Sequence, residues 1–266
     1  MKKKRAVRVA VIVVLAILCF VGFLLSPIFR IQAITVNGCT YYSEEEITEA
    51  LQEVSNKNYF TVLFSDVPFA HIDYLFKGRL YTQEQNLVTE KPYIKTAKIT
   101  YQFPDRLEVL VTERSPSFLT KFEGEYLLVD NEGYVLEVFS EEKKPLYPIV
   151  EGLDLNGYKM GGSLRTQGSR ETLELAIKIC SLMEQAQFLE GYIDIIDLSD
   201  PEGIWMYASP SLAVKLGDSS DIAMKLSILK GIFQSGYNGD SNGVIDFTSG
   251  KNPIFQKNET NVEDNS

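Results

Sequence analysis

The stretch ITVNGCTYYSEEEITEAL, Ile34 to Leu51, decides how this chain is read. Asn37-Gly38 is a strong hairpin signal when alternating strands flank it on both sides. Only the upstream side alternates here, at Ile34 and Val36. Downstream, Ser43 lies three residues before Glu46, the spacing of a capping box. Ile47, Ala50, Leu51 and Val54 then fall at i, i+3, i+4 and i+7, one face of a helix running from Ser43 to about Val54. The expectation is strand, tight turn, capped helix. The run Glu44-Glu45-Glu46 fits the first turn of that helix, where acids meet the positive end of its dipole.

A greasy segment stands directly upstream. Val9 to Leu25 holds no charge and no proline, and the apolar run extends to Phe29 across Ser26-Pro27. At about 1.5 Å rise per residue, some 20 residues cross a hydrocarbon core of about 30 Å. A transmembrane helix is expected over 9–29. Lys2, Lys3, Lys4, Arg5 and Arg8 precede it, so the positive-inside rule makes residues 1–8 a cytoplasmic tail and puts the bulk outside the cytoplasm. A cleaved signal peptide has a shorter apolar region and a small-residue cleavage site. The exit LSPIFRIQAI has no such site, which favours an uncleaved anchor.

All 36 acidic residues lie beyond that segment. Six of the 26 basic residues lie at or before Arg30, so the remainder carries 20 basic residues against 36 acids, near −16. That balance has no basic patch and excludes nucleic acid as a partner class. Cys19 is in the greasy segment, and Cys39 and Cys180 are far apart without a spacing pattern. An external part of this size has a core large enough to dispense with a disulfide, so two buried thiols are expected.

Further along, Asn58 to Gln85 is ambiguous, with Val62, Phe69, Ile72, Leu75 and Phe76 suggesting at least one more helix. AKITYQF then alternates, placing Ala97, Ile99, Tyr101 and Phe103 on one face. Pro104-Asp105 turns the chain, and Leu107, Val109 and Val111 alternate again. YLLVDNEGYVLEVF reads as strand, turn, strand. Glu171 to Leu189 and Asp221 to Phe233 are amphipathic helices, with strands between them at 193–198, 204–207 and 212–216 and a last one at 244–247. Strands broken by two helices indicate an α+β class with a mainly antiparallel sheet in the second part. The end, KNETNVEDNS, is polar and reads as a disordered tail over 257–266.

Assembled chemistry is missing. His71 is the single histidine, so a histidine-rich zinc site is excluded, and no Cys-x-x-Cys occurs. No Gly-x-Ser-x-Gly elbow accompanies His71. Gly161-Gly162-Ser163 lacks the lysine of a phosphate loop and reads as a turn. Asp194/Asp197 are expected by chance in so acidic a chain. No cofactor, no metal and no small-molecule substrate are implied. A Ser-Lys hydrolase anchored to the membrane remains the alternative, because serines and lysines are many and carry no diagnostic spacing.

Ile31-x-x-Ile34-x-Val36-Asn37-Gly38 followed by Ser43-Glu44-Glu45-Glu46-Ile47 resembles the start of the POTRA domain of the FtsQ/DivIB family of bacterial cell-division proteins. Pro92-Tyr93-Ile94, Ala97-Lys98-Ile99 and Phe103-Pro104-Asp105-Arg106-Leu107 are similar to the family's next segment. Val111-Thr112-Glu113-Arg114-Ser115-Pro116 resembles the V-x-E-R-x-P signature that closes the module. Val129-Asp130 with Gly133 and Val135, and Pro148 to Leu153, are similar to motifs of the following domain. The stretch from Phe60 to Pro92 is longer than the family pattern. The resemblance implies a POTRA domain (β-α-α-β-β) over 30–115 and a second extracytoplasmic domain over 116–256.

It also implies a non-enzymatic scaffold of the division septum that binds FtsB/DivIC-like and FtsL-like membrane proteins. In relatives the partner is held late in the second domain, partly by strand addition. The matching stretch here is GVIDFTSGKNPIFQ, with Val244, Ile245, Phe247, Ser249, Gly250, Pro253 and Phe255 as candidate partner-binding residues. A closing strand buried in its own sheet is the other reading of that stretch. A POTRA-bearing translocation protein would continue into a membrane barrel of alternating strands of about ten residues, and the sequence holds no such set.

Overall fold

A computed structural model of the chain describes residues 2–64, 78–186, 192–200, 202–208, 211–235, 242–250 and 252–257. Two compact units divide it, Met1–Glu113 and Arg114–Ser266.

The first unit opens with helix α1 (Lys2–Leu24), of which Lys4–Leu24 is long and apolar enough to cross a membrane. The helix stops at Leu24, short of the Phe29 limit set by the apolar run. Ser26 caps a short 3-10 turn, Pro27–Phe29, through its Oγ and the Ile28 N–H at 3.4 Å, and Pro27 suits the first position of a helical turn but not its interior. Phe29 is buried, its ring edge-on to Phe23 and Phe60 at 5.2 and 5.1 Å.

Strand β1 (Ala33–Asn37) then leads through Gly38 to helix α2 (Glu44–Ala50). The remaining elements are helices α3 (Tyr59–Phe64) and α4 (Arg79–Glu90) and strands β2 (Ile94–Gln102) and β3 (Arg106–Glu113). The sheet order is β1-β3-β2, with β1 parallel and β2 antiparallel to β3. Asn37-Gly38 therefore makes no hairpin. Gly38 has φ +90°, and a Cβ there would stand 2.1 Å from the Val111 carbonyl oxygen, so only glycine fits. The backbone N–H groups of Thr40, Tyr41 and Tyr42 donate to the Glu113 carboxylate at 2.8, 2.9 and 3.2 Å, fixing the turn.

Both halves of the capping box form: Glu46 N–H donates to Ser43 Oγ at 3.2 Å and Ser43 N–H to the Glu46 carboxylate at 2.9 Å. Helix α2 is shorter than the expected span, and irregular turns carry Leu51 and Val54 into the core beside Ile47. Helix α4 escapes an apolar-periodicity reading because its buried face is Leu80, Gln83, Glu84 and Leu87. Glu84 accepts the Ile99 N–H at 2.6 Å, and Gln83 donates to Glu53 at 3.2 Å. Two polar positions thus interrupt the stripe. Phe103 does not continue the inward face of β2, because the strand ends at Gln102 and Phe103 stands exposed in the turn. Val62 is buried on α3, whereas Phe69, His71, Ile72, Leu75 and Phe76 lie outside the described residues.

The second unit is a nine-stranded sheet. Its strands are β4 (Pro116–Phe122), β5 (Glu125–Asp130), β6 (Val135–Phe139), β7 (Ile149–Glu151), β8 (Ile193–Asp197), β9 (Ile204–Ala208), β10 (Leu212–Gly217), β11 (Gly243–Asp246) and β12 (Ile254–Lys257). They are ordered β12-β11-β10-β9-β8-β7-β4-β5-β6. The pairings are mainly antiparallel, with β4–β7, β7–β8 and β10–β11 parallel. Helices α5 (Arg170–Ala186) and α6 (Ile222–Gln234) bury Ala176, Ile179, Leu226 and Leu229 in one core with Ile196, Met206 and Val214. Lys257, placed by composition at the start of the tail, closes β12; residues 258–266 lie outside the described residues.

Arg114 opens this unit. Its guanidinium donates to Asp130 at 2.8 Å and Glu132 at 3.2 Å and lies 3.6 Å over the Tyr134 ring. Arg114 and Asp130 side chains are only 7% and 1% exposed. The second Asp130 oxygen accepts the N–H groups of Glu132 and Tyr134 at 2.9 and 2.7 Å, which shapes the β5–β6 turn. Removing one partner of a buried pair strands the other charge, at a cost of about 3–5 kcal/mol, whereas replacing both by apolar groups is far milder. Asp130→Ala is therefore expected to destabilise the second unit by about that amount in urea unfolding. Arg114→Met with Asp130→Leu should recover only the part due to the stranded Arg114 charge, because the Glu132 and Tyr134 N–H groups still lose their acceptor; an Asp130→Ala variant as stable as the parent would contradict this role.

Candidate functional site

The stretch singled out by sequence, 243–256, forms one margin of the nine-stranded sheet. Strand β11 is paired on both sides: parallel to β10, with Val214 opposite Ile245, and antiparallel to β12, with Ile245 opposite Phe255. Residues directly opposite one another share a face of the sheet. One row therefore runs Val150, Ile196, Met206, Val214, Ile245, Phe255 across six strands. Its first five members are buried in the core against α5 and α6. Phe255, the last, is 43% exposed. The core row thus runs past its helical cover and ends in an accessible aromatic ring.

All four residues of β12 are exposed, on both faces. Ile254, opposite Asp246, stands on the outer face at 49% exposure. Among the described residues no strand pairs with the far side of β12. An edge strand offers a row of backbone N–H and C=O groups to another chain, and hydrophobic side chains on it add affinity.

Two local features hold β12 in place. At Gly243 a Cβ would stand 2.5 Å from the Gln256 carbonyl oxygen and 2.6 Å from the Phe255 ring, so the glycine lets the last strand and its aromatic ring close onto β11. At the other end Asp246 Oδ1 accepts the N–H and the hydroxyl of Thr248 at 2.7 and 2.6 Å. These bonds, the hydroxyl's foremost, hold the Asp246 carboxyl below its usual range. The turn they start returns the chain as β12.

The seven sequence candidates separate on this frame. Ile245 and Phe247 are buried in the chain's own core, and Val244 is half-buried on the doubly paired strand. Ser249 and Gly250 are exposed in the turn, Pro253 is half-buried before β12, and Phe255 stands at the margin. Ile254 escaped the sequence reading. Its signal was the β-prone pair Ile254-Phe255 just after a proline, too brief to register as a strand.

Elsewhere, Gly161-Gly162-Ser163 is a turn seated on β6: Val135 N–H donates to the Gly162 carbonyl at 3.0 Å, and Gly161 N–H to the Val135 carbonyl at 2.9 Å. Asp197 accepts the Ser199 N–H at 2.9 Å, a local turn bond. Burial pushes the Cys180 thiol up to about 12, which suppresses the nucleophilic thiolate, and raises Cys39 as well. All three cysteines are free. Among the described residues no group of three or more His, Cys, Asp or Glu is placed to hold a metal ion.

Two family models match the chain: "POTRA domain, FtsQ-type" over residues 75–114 and "Cell division protein FtsQ/DivIB, C-terminal" over 119–247. The first begins downstream of β1 and α2, whose place in the module rests on the parallel pairing of β1 with β3. A cell division protein DivIB of Clostridium botulinum (strain Hall) is 24% identical over 262 residues, covering 96% of this chain and 92% of the relative. One of Clostridium acetobutylicum is 25% identical, covering 86% of this chain and 83% of the relative. A cell division protein FtsQ of Syntrophotalea carbinolica is 26% identical, covering 83% and 71%. With an apolar N-terminal helix, a POTRA module and a sheet-rich unit in that order, the chain belongs to the FtsQ/DivIB family of cell-division proteins.

Proposed function

We propose that this protein is a non-enzymatic scaffold of the division machinery. Helix α1 anchors it once in the cell membrane, with residues 1–8 in the cytoplasm and the bulk outside, at the septum. Its partners are FtsB/DivIC-like and FtsL-like membrane proteins, and the docking element is the margin of β12. One observation carries the reading: an exposed, hydrophobic edge strand whose inward side chain, Phe255, prolongs the core row. A partner strand laid along β12 would continue both the backbone ladder and that row, so recognition would use main-chain bonds for affinity and alternate side chains for register. Ile254 would meet the partner on the outer face. Ile245 and Phe247 would support β11 without touching the partner.

The full chain in nanodiscs, titrated with a purified DivIC-type partner, tests this. Loss of a central aromatic anchor typically costs about 2 kcal/mol, roughly 30-fold in Kd. Phe255→Ala is expected to weaken binding by about that factor, and Lys257→Pro, which removes an N–H that faces away from β11, to weaken it similarly. The outward-facing N–H of Lys257 means its replacement should leave Tm unchanged, and loss of the partly exposed Phe255 ring should cost only a small drop. Parent-like affinity in both variants would count against the site.

The Asp246 turn adds a pH signature. Its carboxyl is lowered in the folded chain, so its stabilisation is complete above the unfolded value of about 3.9 and is lost as pH falls through the folded value. Amide protection of β12, corrected for intrinsic exchange, is expected to be constant between about pH 5 and 8 and to fall below about pH 4. Asp246→Asn should remove most of that fall; an unchanged profile would refute the turn's role.

A further inference from the structure

At the end of the first unit where α1 leaves off, three segments converge. The exit segment after Leu24, the segment around Asn58, and the β2–β3 turn at Phe103 meet about the buried ring of Phe29, which lies 5.1 Å from Phe60 and 5.8 Å from Phe103. Asn58 ties them. Its Nδ2 donates to the carbonyl oxygens of Leu24 and Ser26, both at 3.0 Å, and its Oδ1 accepts the Phe60 and Thr61 N–H groups at 3.0 and 3.4 Å. One side chain thus satisfies the Leu24 carbonyl at the end of α1 and orphan donors at the start of α3. Gln32 N–H donates to the Asp105 carbonyl at 2.8 Å and closes the third side. The span and the module are joined through these bonds as well as through the chain itself.

The surface of this joint is apolar beyond what a water-facing end requires. Phe64 is 70% exposed, Phe103 75% and Ile28 55%. A concavity of about 430 Å³ lies between Val21, Leu24 and Leu25 of the span and Phe60, Thr61 and Phe64 of the module, with Thr61 its one polar lining residue. Around it Arg30, Lys57 and Arg106 are exposed, and Asp105 is drawn toward Arg106 at 3.8 Å. Aromatic rings with basic side chains beside them are the composition of a membrane interface, where rings sit at headgroup depth and cations meet anionic lipid. The apolar surface is continuous with the lipid-facing surface of α1.

We propose that this end of the module is seated in the headgroup and upper acyl region of the membrane that α1 crosses, with Phe64, Phe103 and Ile28 immersed in lipid. The module then has a fixed height and tilt above the bilayer. The opposite end of its sheet, at Tyr41, stands about 23 Å away along the eight residues of β3, which rise about 3.3 Å from one to the next. The proposal rests on α1 spanning a membrane.

The test uses the full chain in nanodiscs of phosphatidylethanolamine and phosphatidylglycerol, in a Trp205→Phe background. Single tryptophans are placed by Phe103→Trp, Phe64→Trp, Tyr41→Trp and, inside the span, Phe23→Trp. Lipids brominated near the top of the acyl chain are expected to quench Phe103→Trp and Phe64→Trp to an extent comparable with Phe23→Trp. Tyr41→Trp should instead be quenched by aqueous acrylamide alone. If Phe23→Trp is quenched by lipid while Phe103→Trp and Phe64→Trp answer only to acrylamide, the proposal is overturned and the collar is left for a partner's membrane helix. If Phe23→Trp itself escapes lipid quenching, α1 is no span and the proposal falls with it.

Discussion

A sheet that does not close on itself must leave backbone groups unpaired at its margins, and the second unit depends on where it leaves them. Nine strands share one layer, and α5 and α6 cover one face of it. The buried row from Val150 to Ile245 is satisfied on that face by helix side chains, but the row has one member more than the cover accommodates. Phe255 and Ile254 are consequently exposed on a strand paired on one side. Such a margin has the features that strand addition uses, an exposed backbone row with apolar side chains beside it. Gly243 and the Asp246 turn keep that margin in place.

The adjacent residues Glu113 and Arg114 show how little chain is needed to organise two units. Glu113 accepts three successive backbone donors and fixes the turn that delivers α2. Arg114 holds Asp130, which in turn holds the β5–β6 turn. Their side chains act within separate units, so the E-R pair of the signature at 111–116 is explained by turn geometry on either side of a boundary. Asn58 does comparable work at the membrane end, where one amide serves two helix termini.

Elements with a strong local signal were legible in the sequence. Ser43 and Glu46 announced α2, the alternations at 97–101 and 107–111 announced β2 and β3, and the stripes of α5 and α6 were visible over several turns. Elements whose identity depends on distant contacts were not. Helix α4 buries Gln83 and Glu84, which look like solvent-facing residues until Glu53 and the Ile99 N–H are in view. Strand β4 starts at Pro116, where Ser115-Pro116 reads as an end, because a proline is tolerated at the first residue of a strand. The same holds for the candidate site. The segment 243–256 could be named, but which of its residues face the core follows only from the register with β10 and β12. That register moves the emphasis from Val244, Ile245 and Phe247 to Ile254 and Phe255.

The most direct measurement is amide hydrogen exchange of the full chain in nanodiscs, with and without the extracellular part of a DivIC-type partner. If β12 is the docking margin, protection should rise at 255 and 257 on binding, whose N–H groups face away from β11, while the already paired amides of 254, 256 and β11 change little. Binding that leaves exchange at 255 and 257 unaltered, with new protection elsewhere, would contradict the account.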